Sequence, residues 1–210
     1  MASNDSPGVE LSVAVIIEPR LPFVNQLLDM VRDVRKILGR DVRAVWMPPQ
    51  SYCVVLASAV LPARAREEVA TMGLRSGVTK LRGLREVELR VDPPVFERLP
   101  DGSAFIQSRV WSDMPEFKEM LQALTSGLES TGLEIREGVG VPGGFRFVFG
   151  WVPGPCDLPA IPVESLSNLP SLVRVSGLSS AVLSKVGATP MLSYRRLRSI
   201  DFDDAVFGDL

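Results

Sequence analysis

Two apolar stretches of strand length, residues 52–59 (YCVVLASA) and 145–152 (FRFVFGWV), each follow a segment of helical period. This repeated plan restricts the fold more than any other feature of the chain. In the first half, Phe23, Val24, Leu27, Leu28, Val31, Val34 and Leu38 recur at helical spacing, and Gly39 is placed to end the helix. In the second half, Phe117, Met120, Leu121, Leu124 and Leu128 form the stripe. Ser112 or Asp113 can cap that helix, Pro115 sits in its first turn and Gly132 stops it.

Further strands are expected over residues 11–17, 42–46, 87–91, 104–111, 173–183 and 194–202, and a further helix over 63–72. A short helical turn is expected within 166–172, a flexible loop over 138–144 (GVGVPGG) and a Pro-rich connection over 153–162. Strands and helices in this order imply an α+β layer protein of two similar halves. The expected division is a disordered tail over 1–8, one domain over 9–202 and an acidic tail over 203–210.

Charge and composition narrow the function. A net charge of −2 removes the global positive field that would attract nucleic acid. No run is apolar and long enough to span a bilayer, and residues 1–8 lack a signal-peptide pattern, so a cytoplasmic setting is expected. Two cysteines make neither a disulfide framework nor a closed zinc site, and no carboxylate cluster stands out; neither metal nor cofactor is expected. The chain has no histidine, the one side chain that ordinarily titrates near neutrality.

The segment Trp46-Met47-Pro48-Pro49-Gln50-Ser51-Tyr52-Cys53-Val54-Val55-Leu56 resembles the first signature of the two-histidine phosphoesterases, the LigT-like group of RNA ligases and cyclic phosphodiesterases. That signature is a Trp and Pro turn leading into a strand of pattern His-x-Thr-x. Cys53 falls at its His position and Val55 at its Thr position. The second signature aligns with Arg146-Phe147-Val148-Phe149-Gly150, placing Arg146 at His and Val148 at Thr. Residues 110–133 and 173–202 resemble the flanking and closing segments. The resemblance spans residues 11–202. It implies a two-lobed, pseudo-symmetric fold with antiparallel or mixed sheets flanking a central cleft and helices packed outside.

The resemblance also implies a mechanism that these residues do not support. In the family one His acts as general base, the other as general acid, and the Thr hydroxyls hold the phosphate. Valine offers no hydroxyl, and arginine keeps its proton at any useful pH. Each lost acid or base group forgoes ~10²–10⁴-fold. The chain is therefore read as a catalytically inactive phosphoesterase-like module acting through a protein partner, with no membrane involved. One alternative is a binder of a nucleotide or RNA end, with Arg146 as a phosphate anchor and Trp46 and Trp151 stacking on a base. Ion pairing for Arg146 and core packing for the tryptophans are the plainer readings. Another is an enzyme of altered chemistry using Cys53, which is otherwise an inert buried thiol. In the acidic C-terminal segment, Phe202, Phe207 and Leu210 are candidate partner-docking residues, the other reading being a frayed tail.

Overall fold

The computed structural model describes residues 12–60, 66–80, 86–137, 144–169 and 171–202. The elements run β1 (Ser12–Ile17), α1 (Leu21–Leu38), β2 (Val45–Trp46), β3 (Val54–Val60), α2 (Arg66–Lys80), β4 (Val87–Val91), β5 (Val95–Arg98) and β6 (Ala104–Trp111). They continue with α3 (Pro115–Glu129), β7 (Ile135–Glu137), β8 (Phe145–Val152), β9 (Leu172–Val175), β10 (Gly177–Lys185) and β11 (Leu192–Asp201). Two sheets result. One has the order β11-β10-β1-β3-β7; the other is β2-β8-β6-β4-β9, with β5 also paired to β6. Every strand pair described is antiparallel, so neither sheet is mixed.

The expected duplication takes a definite form. β3 lies between β1 and the three-residue edge strand β7, and β8 lies between β6 and the two-residue edge strand β2. These two central strands face each other across the junction of the sheets. Tyr52 meets Phe149 edge to face at 5.7 Å, and the Met47 amide donates to the Phe149 carbonyl at 2.8 Å. Phe147 continues that row toward Phe23 of α1, at 5.7 Å, so α1 covers the inner face of the six-stranded sheet.

The other sheet is backed by α2 and α3. α2 lies against β1 and β10, and α3 against β3. The predicted α3 stripe is buried at every position, from Phe117 to Leu128. Burial of each such side chain is worth about 1.5–3 kcal/mol. α2 runs longer than the sequence pattern indicates, because Gly73 and Gly77 do not end it. They lie where α3 crosses: a Cβ on Gly77 would sit 2.5 Å from Leu124, and one on Gly127 would sit 3.0 Å from Ser76. The glycines serve close helix approach at some cost in helix propensity.

The C-terminal part departs most from expectation. The single strand expected over 173–183 is two strands in different sheets. β9 pairs with β4 and β10 with β1, so the chain crosses between lobes at Ser176. The short helical turn occupies Val163–Ser165, just ahead of its expected place. It delivers Ser167 to α1, where the Ser167 amide donates to Asp33 Oδ2 at 2.9 Å and Lys36 Nζ donates to Asp33 Oδ1 at 2.9 Å. Lys36 foremost, then Ser167, hold the Asp33 carboxyl well below the usual carboxylate range. The short strands β5 and β7 were not anticipated; neither carries enough alternating residues to stand out.

Candidate functional site

The approach to β3 is built by the Trp and Pro turn. Pro48 and Pro49 set a single helical turn at Pro49–Ser51, in which Ser51 and Tyr52 amides donate to the Pro48 and Pro49 carbonyls at 2.8 and 3.1 Å. Strand alternation then takes over. Tyr52, Val54 and Leu56 enter the core, while Cys53 and Val55 face the other way. On β8, Phe147 and Phe149 are fully buried and Arg146 and Val148 are half-buried. Cys53, Val55, Arg146 and Val148 converge on one pocket, together with Ser51, Phe105 and Met191. Residues two apart on each strand thus bring the four positions together.

That pocket holds about 80 Å³. Ligand pockets run to roughly 300–1,000 Å³. One wall of this pocket is the turn between β10 and β11. Its backbone is fixed by the Val186 amide on the Met191 carbonyl at 2.9 Å and by Thr189, whose hydroxyl donates to the Val186 carbonyl at 2.7 Å. Gly187 supplies the left-handed residue the turn needs, at φ +58°. Pro190, Met191 and Leu192 then line the pocket, and Met191 is only 1% exposed. Arg146 is also engaged. Its Nη1 lies 3.8 Å from Glu97 Oε2, its guanidinium sits 5.7 Å from the Phe105 ring centre, and its side chain is 29% exposed. Glu97 accepts a second bond from Gln107 Nε2. The pocket thus offers one neutralised cation, a thiol, the Ser51 hydroxyl and apolar walls.

Three sequence expectations change here. Trp46 and Trp151 do not line this pocket. They belong to the β2–β8 ladder, where Val45 pairs with Trp151 and Trp46 with Gly150. Trp46 instead carries the Arg35 guanidinium 4.5 Å above its ring. Gly150 is what lets β2 approach, since a Cβ there would meet the Val45 carbonyl at 2.9 Å. Phe202 is no exposed docking residue: it is 1% exposed, belongs to the main core, and its amide donates to the Ser176 carbonyl. Phe207 and Leu210 lie outside the described residues. Neither Cys53 nor Cys156 forms a disulfide, and the described residues contain no cluster of metal-ligating side chains.

One polar constellation was not anticipated. Glu18, at the end of β1, accepts the Tyr194 hydroxyl at 2.7 Å and Arg196 Nε and Nη2 at 3.1 and 2.6 Å on Oε1. Its Oε2 accepts the Ser179 hydroxyl at 2.6 Å, and Ser179 in turn contacts the Ser199 hydroxyl at 2.7 Å. Burial pushes the Glu18 carboxyl up, but the bonds from Arg196, Ser179 and Tyr194 outweigh it and the net displacement is downward. Burial, then the Glu18 carboxylate, raises the Tyr194 phenol far above its ordinary value. Tyr194 adjoins the closed pocket, packing with Cys53 and Val55 over Ala14, Ile16, Ala181 and Leu183. The signal available in the sequence was Tyr194 and Arg196 at strand spacing, but Glu18 is remote from both.

Neither a family model nor a curated protein matches the sequence. Solved structures do match. E. coli LigT complexed with 3′-AMP superposes with a TM-score of 0.60 over 92% of this chain and 97% of that one, at 12% identity. The TT0787 protein of Thermus thermophilus gives 0.60 over 91% and 97%, at 14% identity. A structure described as a phosphoesterase gives 0.57 over 90% and 97%, at 10% identity. The architecture therefore matches the LigT-like fold, with two antiparallel sheets and outer helices. At these identities the likeness is one of fold, and no helix described is long and apolar enough to cross a membrane.

Proposed function

We propose that this chain acts by association, as a LigT-like scaffold whose reaction cleft is closed and without catalytic function. The observation that carries this reading is the convergence of Cys53, Val55, Arg146 and Val148 on a pocket of about 80 Å³, walled on one side by the β10–β11 turn. General acid–base catalysis on a phosphodiester needs two groups that exchange protons near neutrality. Among the described residues the lining contains no histidine or carboxylate, and its arginine keeps its proton at neutral pH.

A second reading has one observation in its favour: Arg146 lines the pocket, at the position where the resemblance places a catalytic histidine. A nucleotide or RNA end held there would displace Glu97 from the guanidinium and Met191 from the space. A thermal-shift panel of 2′,3′-cyclic nucleotides, 3′-AMP and short RNA ends separates the two. The scaffold reading predicts no shift that Arg146→Ala abolishes. A ligand at ~100 times its dissociation constant would stabilise by about 2.7 kcal/mol. A shift of that size, abolished in Arg146→Ala, would establish the binding reading in its place. Nucleotide turnover abolished by alkylating Cys53 would establish altered chemistry instead.

A further inference from the structure

A second pocket opens where β1 runs into α1 and β9 turns into β10. It holds about 270 Å³, more than three times the closed cleft, and shares none of the cleft's lining residues. Arg20, Arg196, Ser176, Ser179, Ser199 and Glu18 supply its polar wall. From this wall we infer a binding site for a phosphate group, free or as a terminal phosphomonoester.

The argument starts from charge. Two guanidiniums against one carboxylate leave the wall net positive. The carboxylate is already committed, since both Glu18 oxygens accept bonds from Tyr194, Arg196 and Ser179. Glu18 therefore positions Arg196 and does not compete for its whole fork. It occupies Nε and Nη2, which leaves the Nη1 edge for a ligand. Arg20 is held in the same way, its Nη2 donating to the Ser176 hydroxyl oxygen. That bond uses a lone pair of Ser176 and leaves its own hydrogen to donate. Planar guanidiniums held in fixed orientation suit the bidentate geometry of phosphate oxygens, and less side-chain entropy is lost when the fork is preset.

The backbone adds to this. Arg20 is the N-cap of α1, an 18-residue helix with no acidic side chain in its first turn and no side-chain cap. The positive end of the helix dipole thus adjoins the pocket without a side-chain cap. Phosphate fits better than carboxylate because the wall presents donors from two arginines and the Ser176 hydroxyl, more than two oxygens can use.

The test is an NMR titration of the full chain with inorganic phosphate at constant ionic strength, following the arginine Nε–H resonances. A parallel titration uses glycerol phosphate. The expected result is saturable binding with a dissociation constant of about 1 mM or tighter, moving the Arg20 and Arg196 resonances. Arg20 is exposed, so Arg20→Ala keeps the fold and should weaken binding about tenfold. Arg174→Gln, on the other sheet, should leave binding unchanged. Binding of both ligands assigns the site to a terminal phosphate, and binding of inorganic phosphate alone to the free ion; each sustains the inference. It would be overturned by linear, non-saturating shifts, by acetate binding as tightly as phosphate, or by equal binding in Arg20→Ala. Loss in Arg146→Ala with Arg20→Ala unaffected would relocate phosphate to the cleft and also overturn it.

Discussion

The closed cleft and the Arg20–Arg196 pocket are built from adjoining parts of one molecule and have opposite character. In the cleft, Val55 and Val148 stand where the resemblance places hydroxyls, Arg146 is paired to Glu97, and Met191 forms part of the wall. In the pocket, carboxylate, guanidinium and hydroxyls bond one another around open space, with the Tyr194 phenol bonded to the carboxylate from outside the lining. The contrast separates a fold from its chemistry: the LigT-like scaffold keeps two central strands facing each other while polar organisation lies beside them.

That comparison can be broken at its strongest point by Met191→Ala. If Met191 closes the cleft, removing its side chain leaves a void beside Phe105 and Val148, and stability should fall by about 2–4 kcal/mol in denaturant unfolding. A loss under ~0.5 kcal/mol would mean the turn merely rests on the cleft. The next largest effect belongs to the pocket. Glu18 is 16% exposed, and Glu18→Ala leaves Tyr194, Ser179 and Arg196 without their shared acceptor. A loss of about 1–3 kcal/mol is expected.

The same carboxylate sharpens the comparison through pH. Its folded-state value lies below the ordinary one, so its contribution is complete above about pH 4.3 and is lost as pH falls through the folded value. The stability gap between wild type and Glu18→Gln should therefore be constant from pH 7 to about 5 and shrink toward about pH 3. A gap that widened on acidification would reverse the sign of the argument. The smallest effect should come from Arg146→Ala. Its ion pair is long and both partners are substantially exposed, so urea unfolding should change by less than about 1 kcal/mol.

The cleft side of the comparison was largely legible in the sequence and the pocket side was not. Cys53 and Val55, like Arg146 and Val148, are two apart on apolar strands, and strand period alone puts each pair on one face. The bounds of β4 and β6 and the α3 stripe were legible for the same reason, being dense local periodicity. Met191 had no such signal: it closes the cleft from a hairpin turn whose place depends on the β10–β11 register. Glu18 is 176 residues from Tyr194, and only the pairing of β1 with β10 and of β10 with β11 brings them together. Phe202 misled because it sits among aspartates, whereas its burial follows from the Ser176 crossing between lobes.

The most direct test of the proposal that the cleft is inactive is hydrolysis of 2′,3′-cyclic AMP by the full chain at high protein concentration, with both possible monophosphate products resolved by chromatography. Product formation should match the protein-free blank at neutral pH. Turnover above that blank, lost on Cys53→Ala or Arg146→Ala, would show that the cleft opens and reacts, and would contradict the account.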